Sequence, residues 1–190
     1  MTIGDLTQVL RTPGESPAAC DWTAIGRAWN TQFPSDFKSF LSIYGSGTIE
    51  GYLHVMAPEI VGGEAGGSMD FVTDDARGTW EVADHPPGLH ASQEDILAWG
   101  YTTTADFLCW LTSESDPDRW PVLVYSRGLD AWSVTNCGMA EYLRMNFLRE
   151  FPENPLNGVE IWGNRNPRFL SYGEQERIEK SGGDPWAPPS

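Results

Sequence analysis

The chain has 190 residues, of which 40% are hydrophobic and 12% aromatic, so it can bury one core of ordinary size and is not an intrinsically disordered polypeptide. Its 27 acidic and 12 basic residues give a formal charge of −15, a field that repels nucleic acid and anionic lipid. No apolar run is long enough to span a bilayer, and Met1–Asp5 lacks the basic start of a signal peptide, so we expect a cytoplasmic protein with no membrane partner.

The first helix of the core is predicted to begin at Asp21. Residues 1–20 contain Pro and Gly and show little periodicity, so we expect a loosely docked N-terminal lead. The Asp21 side chain can accept a hydrogen bond from a free amide of the first helical turn. Trp22, Ile25 and Trp29 then recur with helical spacing. The main domain is therefore expected to span residues 21–151.

A second helix is predicted from Pro34 to Tyr44. Proline is favoured in a first turn because its missing N–H has no partner there, and Ser35 or Asp36 can cap the helix. Gly45 stands where a left-handed residue ends a helix. The predicted buried stripe of this helix consists of Phe37, Phe40, Leu41 and Tyr44.

The chain after this helix is predicted to be a strand followed by loops. Residues 49–56 are rich in β-forming side chains, and Gly51 within them indicates a bulge or weak pairing. Residues 59–90 are rich in Gly and acids, so we expect loops with one short helix, and residues 62–67 are interpreted as a flexible linker. The apolar anchors of this region are predicted to be Met69, Phe71, Val72, Trp80 and Val82.

An antiparallel meander is predicted next. Phe107–Leu111 is apolar on both faces, which is typical of a central strand, and Trp120–Tyr125 has the same character. Turn signals at Asp116–Asp118 and Arg127–Asp130 separate the strands. A closing helix is expected over Met139–Phe151. The chain is thus predicted to be a single α+β domain whose mainly antiparallel sheet has about five or six strands flanked by helices.

Four tryptophans recur through the meander, namely Trp99, Trp110, Trp120 and Trp132. We interpret them as core residues whose indole N–H groups bind backbone oxygens, and an exposed indole would instead be an interface anchor. Residues 152–190 form a C-terminal extension in which Phe169 and Leu170 can dock. Its last ten residues contain three prolines and are expected to be flexible.

Two blocks of sequence resemble the SMI1/KNR4 family, also called the SUKH superfamily. The first runs from Phe33 to Pro58, and the second runs from Ile96 through Trp99-Gly100, Trp110 and Trp120 to Phe151. The ordered set, rather than any single piece, carries the resemblance. It implies an α+β domain without an enzyme site, most often a bacterial immunity protein that binds and neutralises a cognate toxin. Fungal relatives act in cell-wall regulation and signalling.

No catalytic, cofactor or metal site is predicted. The histidines, His54, His85 and His90, and the three cysteines show neither Cys-x-x-Cys nor His-x-x-x-His spacing. His54 is either a satisfied core imidazole or a pH-sensitive surface group. An odd number of widely spaced cysteines predicts reduced thiols. The paired carboxylates lie in turn-like segments, where a solvated face is favoured over acid–base chemistry.

The acidic residues are unevenly distributed. Residues 59–118 contain thirteen acids and one base, Arg77, a formal charge of −12 out of the total of −15. The excess either keeps the protein soluble or attracts a basic partner. We favour a basic toxin, such as a nuclease, and keep a regulatory scaffold that binds a housekeeping protein as the alternative. The predicted partner-binding residues are Glu64, Asp70, Asp74, Asp75, Glu81, Asp84, Glu114, Asp116 and Asp118.

Overall fold

The computed structural model describes residues 3–13, 17–62, 64–66, 68–158 and 160–187, with backbone alone for 64–66. Its helices are α1 (Ile3–Leu6), α2 (Trp22–Ala28), α3 (Ser35–Ile43), α4 (Ser68–Trp80), α5 (Met139–Leu148) and α6 (Tyr172–Lys180). Its strands are β1 (Gly47–Ile49), β2 (Leu53–Val55), β3 (Glu59–Val61), β4 (Glu64–Gly66), β5 (Ile96–Thr102), β6 (Phe107–Leu111), β7 (Val122–Ser126), β8 (Ala131–Thr135) and β9 (Phe169–Ser171). Within these ranges, no helix is both long and apolar enough to cross a membrane.

A seven-stranded antiparallel sheet with strand order β8-β7-β6-β5-β2-β1-β9 carries the fold. This confirms the predicted α+β class, although the sheet has more strands than the expected five or six. One extra strand arises because residues 49–56 form part of a hairpin rather than one strand: Glu50 and Gly51 have φ of 51° and 72°, which turn the chain between β1 and β2. The other is β9, which pairs with β1.

Helix α3 lies where it was predicted, and Asp36 accepts from the Phe37 amide of its first turn at 2.7 Å, as predicted; a second, distant carboxylate also binds this N-terminus. Pro34 is the N-cap and lacks a side-chain hydrogen bond, and the Ser35 amide donates to the distant Asp118 carboxylate at 2.6 Å. Gly45 has the predicted left-handed conformation, with φ of 73°. The predicted stripe is buried: Phe37, Phe40, Leu41 and Tyr44 are each at most 1% exposed.

The expectation of loops with one short helix between residues 59 and 90 was wrong in part, because turns and loops predominate only in residues 81–90. The segment forms the β3–β4 hairpin and α4, a helix of 13 residues. Five side chains with helical spacing face inward from α4: Met69, Val72, Thr73, Ala76 and Trp80. Phe71 and Val82, which were expected to anchor the segment, are 67% and 85% exposed instead. Gly63 and Gly67 of the expected linker lie outside the described residues.

Both ends of the chain pack more closely than expected. Leu6 and Leu10 in the N-terminal lead are fully buried, and α1 contacts α5. The C-terminal extension supplies β9, and the Arg168 guanidinium donates to the backbone oxygens of Trp186 and Ala187 at 3.2 and 2.9 Å. The expected flexible tail is therefore docked up to residue 187, and residues 188–190 lie outside the described part of the chain.

The four tryptophans of the meander are core residues, as predicted. Trp99 and Trp110 are fully buried, Trp120 is 5% exposed and Trp132 is 4% exposed. The predicted indole hydrogen bond exists for Trp120, whose Nε1 donates to the backbone oxygen of Glu114 at 2.6 Å. The other three indole N–H groups have no partner among the described residues. Packing rather than hydrogen bonding therefore holds these rings.

Candidate functional site

Three adjoining cavities lie at one end of the sheet, where β5 begins, β6 ends and β7 begins. The α4 cavity, of about 370 Å³, is lined by residues of α4 and of the segment 28–31. The turn cavity, of about 490 Å³, and the helix-terminus cavity, of about 610 Å³, share Asp118 and Trp120. Thr112 lines the first cavity and its neighbour Ser113 lines the second. All three cavities therefore lie near the end of the sheet where β6 ends.

The α4 cavity is bordered by acidic and aromatic side chains. Asp70, Asp74 and Glu94 contribute carboxylates, and Trp29 lies at the same cavity. Its single base is Arg77, whose guanidinium donates to the backbone oxygens of Ile96 and Glu94 at 3.1 and 3.3 Å. Hydrogen bonds from its own backbone amide and from Ser92 lower the pKa of Glu94. With three carboxylates and one guanidinium group, the cavity has a net negative formal charge at neutral pH.

Two carboxylates fix the helix ends at the helix-terminus cavity. Asp36 accepts from the amide of Ala140 at 3.0 Å, and so holds the first turn of α5 against α3. Asp118 accepts from the amide of Ser35 and so binds the first turn of α3. Burial raises the pKa of the Cys137 thiol to about 12, helped by the nearby charges of Glu141 and Asp36. The thiol is therefore protonated at neutral pH and a poor nucleophile.

The structure divides the predicted partner-binding residues between two ends of the sheet. Asp70 and Asp74 line the α4 cavity, and Glu114 and Asp118 line the turn cavity. Asp116 caps the short 3₁₀ turn before Trp120 by accepting from the Asp118 amide at 3.1 Å, so it stands beside them.

Glu81 and Asp84 lie away from these cavities. Asp84 bridges to Ala131, whereas Thr135 at the other end of β8 lines the helix-terminus cavity, about 13 Å farther along the strand. Asp75 is on the exposed face of α4. The side chain of Glu64 lies outside the described residues.

Three carboxylates of this site were absent from the predicted set, namely Asp36, Glu94 and Glu141. Asp36 accepts from the Phe37 amide of its own helix at 2.7 Å, as predicted, and it also caps α5 across 104 residues of sequence. Glu94 is brought to α4 by the contact of Arg77 with the start of β5. Sequence spacing carries a signal for a local cap and none for such distant contacts.

Seven carboxylates and two guanidinium groups line the three cavities, and we call this region the acidic end. The carboxylates are those of Asp36, Asp70, Asp74, Glu94, Glu114, Asp118 and Glu141. The guanidinium groups are those of Arg77 and Arg119, and Arg119 lies 3.7 Å from Glu114. Glu141 is also paired with Arg144 at 2.9 Å, and Asp74 lies 4.0 Å from Arg77. The carboxylates still outnumber the guanidinium groups, so the acidic end has a net negative formal charge. In the described part of the chain, no three His, Cys, Asp or Glu residues are grouped to hold a metal ion.

His54 lies on β2, away from the acidic end, and is half-buried. Its ring stacks on Tyr101 with centroids 4.3 Å apart, and Nδ1 is 3.0 Å from the hydroxyl of Tyr172. Burial lowers the pKa of His54 below its ordinary value of 6.5. The imidazole therefore combines features of the two predicted alternatives, because it is packed and bonded yet close enough to solvent to titrate.

The pKa of His54 leads to a test at mildly acidic pH. Because the pKa of His54 is lower in the folded state, the unfolded chain binds the proton more readily. The stability contributed by the neutral imidazole is therefore complete above pH 6.5, and it is lost as the pH falls through the pKa of His54 in the folded protein. We expect the difference in free energy of unfolding between wild type and His54→Gln to shrink from pH 7.5 to pH 5. Urea unfolding at each pH measures it, and a constant difference would contradict the assignment.

A comparison of the chain with protein-family models, with curated proteins and with solved structures finds no match.

Proposed function

We propose that this protein is a non-enzymatic immunity protein that acts in the cytoplasm by binding and covering a cognate toxin with a basic surface. A nuclease is the favoured toxin, because an enzyme that holds phosphate groups needs basic side chains near its active site. The protein then acts by occlusion, with its carboxylates competing for those basic groups. The resemblance of residues 33–58 and 96–151 to the SMI1/KNR4 family supports the same function.

The acidic end is the observation that carries this proposal. Its carboxylates come from five separate parts of the chain, which are α3, α4, the 3₁₀ turn just before β5, the β6–β7 connection and α5. A general excess of acids serves solubility wherever it lies, whereas carboxylates gathered around adjoining cavities offer a shaped surface for cationic side chains. A partner that approaches this end is accelerated by the field of the whole chain.

The first test is co-expression with the toxin encoded beside this gene. Wild-type protein is expected to restore growth of a host that produces the C-terminal domain of that toxin, and a catalytically unrelated toxin serves as the control. Absence of rescue by any neighbouring toxin would reject the immunity function. Stable capture of a housekeeping protein in its place would favour the regulatory scaffold.

The second test concerns the charge. Asp74→Lys combined with Glu94→Lys changes two exposed carboxylates of the α4 cavity, and we expect the association rate with the toxin domain to fall about tenfold or more at low salt. Glu160→Lys combined with Glu179→Lys makes the same change of net charge on exposed residues outside the acidic end, and a much smaller effect is expected. Stopped-flow binding at several salt concentrations measures both. Equal rates for the two variants would remove the acidic end from the proposal.

A further inference from the structure

The outer face of α4 exposes an aromatic ring between carboxylates. Phe71, Asp74, Asp75 and Gly78 follow one another at i, i+3, i+4 and i+7, so they occupy the face opposite the buried residues of the helix. Phe71 is 67% exposed, and the side chain of Asp74 is 82% exposed. Val82 just after the helix is 85% exposed. This surface therefore exposes the apolar side chains of Phe71 and Val82, with the carboxylates of Asp74 and Asp75 beside Phe71.

The last turn of α4 is flat on this face. A Cβ atom added to Gly78 would meet nothing within 4 Å, although glycine weakens a helix interior by about 1 kcal/mol relative to alanine. The fold therefore gains nothing from the missing side chain at this position. A partner that lies on α4 gains close access to the helix backbone about two turns beyond Phe71.

The α4 cavity opens beside the same helix. Asp70 and Asp74 line it together with Trp29, whose Nε1 donates to the backbone oxygen of Glu59 at 3.3 Å. A Lys or Arg side chain from a partner can place its charged end near these carboxylates and its methylene groups against the indole ring. The guanidinium of Arg77 donates to the backbone oxygens of Ile96 and Glu94 and lies 4.0 Å from the Asp74 carboxylate. Three carboxylates against this one guanidinium leave the cavity a net negative formal charge that a second cation can offset.

We infer that the outer face of α4 is the surface that binds the toxin, with Phe71 as its apolar anchor and the α4 cavity as the receptor for one basic side chain. The inference rests on the proposed function and specifies its site. The occupant is a protein surface with an apolar pocket rimmed by Lys and Arg. A second copy of this chain would bring like charges together, and a nucleic acid or an anionic membrane would be repelled in the same way.

An aromatic anchor of this kind has a measurable signature. Buried aromatic residues dominate many interfaces, and charged residues around them add rate and specificity. Phe71→Ser is therefore expected to raise the Kd for the toxin domain about 30-fold, chiefly through faster dissociation. Asp70→Asn combined with Asp74→Asn is expected to slow association and to weaken the dependence of binding on salt.

The test uses the neighbouring toxin domain against which wild type restores growth, purified and immobilised for interferometry. Leu129→Ser is the matched control, because Leu129 is 79% exposed and is also a surface hydrophobic residue. It lies in the turn of the β7–β8 hairpin, at the end of these strands away from the acidic end. Its Kd is expected to stay within about twofold of wild type. Circular dichroism and thermal unfolding of both variants check that the exposed substitutions leave the fold intact.

The outcomes separate the two proposals. Failure of wild type to bind any neighbouring toxin would overturn the proposed function and this inference with it. Binding by wild type that Phe71→Ser leaves unchanged, or that Leu129→Ser weakens equally, would overturn the inference alone. Conversion of a dimer of this chain to a monomer by Phe71→Ser, seen by light scattering, would make a second copy the occupant and also overturn it.

Discussion

Replacing Asp106 by alanine is expected to lower the free energy of unfolding by about 2–6 kcal/mol, because it leaves two backbone amides without an acceptor, each at a cost of about 1–3 kcal/mol. Asp106 is fully buried, and its carboxylate accepts from the amides of Arg127 at 2.9 Å and Asn157 at 3.2 Å. It also accepts from the hydroxyls of Thr102 and Thr104. One side chain thus ties the β5–β6 turn to the β7–β8 turn and to the C-terminal extension.

Urea unfolding followed by tryptophan fluorescence measures this loss. Asp106→Asn keeps one acceptor oxygen and is expected to fall between wild type and Asp106→Ala. Asp75→Ala is the control, since it removes an exposed aspartate from α4 and is expected to change stability by less than about 0.5 kcal/mol. If Asp106→Ala were as stable as this control, the two amides would have other partners.

Replacing Gly100 by alanine is expected to lower the free energy of unfolding by about 1–3 kcal/mol, the usual cost of overpacking a buried site. Gly100 lies in β5 opposite Val55 and Leu108, beside an irregularity in the pairing with β6. A Cβ atom there would come within 2.6 Å of the backbone oxygen of His54. Since that oxygen belongs to the neighbouring strand, β2 and β5 would have to separate.

Gly78→Ala provides a control of opposite sign. Gly78 lies within α4 and has no atom near its absent Cβ, so alanine there is expected to stabilise the protein by up to about 1 kcal/mol. Thermal unfolding of both variants measures the contrast. A Gly100→Ala variant as stable as wild type would mean that the two strands can move apart without loss.

Local pattern was a good guide wherever one face of an element is buried. The stripe of Phe37, Phe40, Leu41 and Tyr44 gave the limits of α3 within a residue or two, and Gly45 ended it as predicted. Asp21 caps α2 as predicted, accepting from the amides of Thr23 and Ala24. The apolar strands Phe107–Leu111 and Val122–Ser126 pair in the predicted meander.

Local pattern failed where composition was given more weight than spacing. The many acids and glycines between residues 59 and 90 indicated loops, yet Met69, Val72, Thr73, Ala76 and Trp80 carry a helical period that predicts α4. The same error made Phe71 an expected anchor of the core. Its position between Asp70 and Val72, out of phase with the buried set, indicates the outer face of the helix.

The sequence by itself determined the α+β class, the central strands and the excess of acids. The spacing of apolar residues is a local property of a sequence, and net charge is a sum over its residues, so neither depends on the folded structure. Tertiary structure alone decided that Asp36 and Asp118 cap helix ends far away in sequence, that Asp106 joins three segments, and that β9 completes the sheet. It also decided which acids share the acidic end. These are contacts between distant residues, and no spacing rule specifies them, since they depend on how the packed elements bring the chain together.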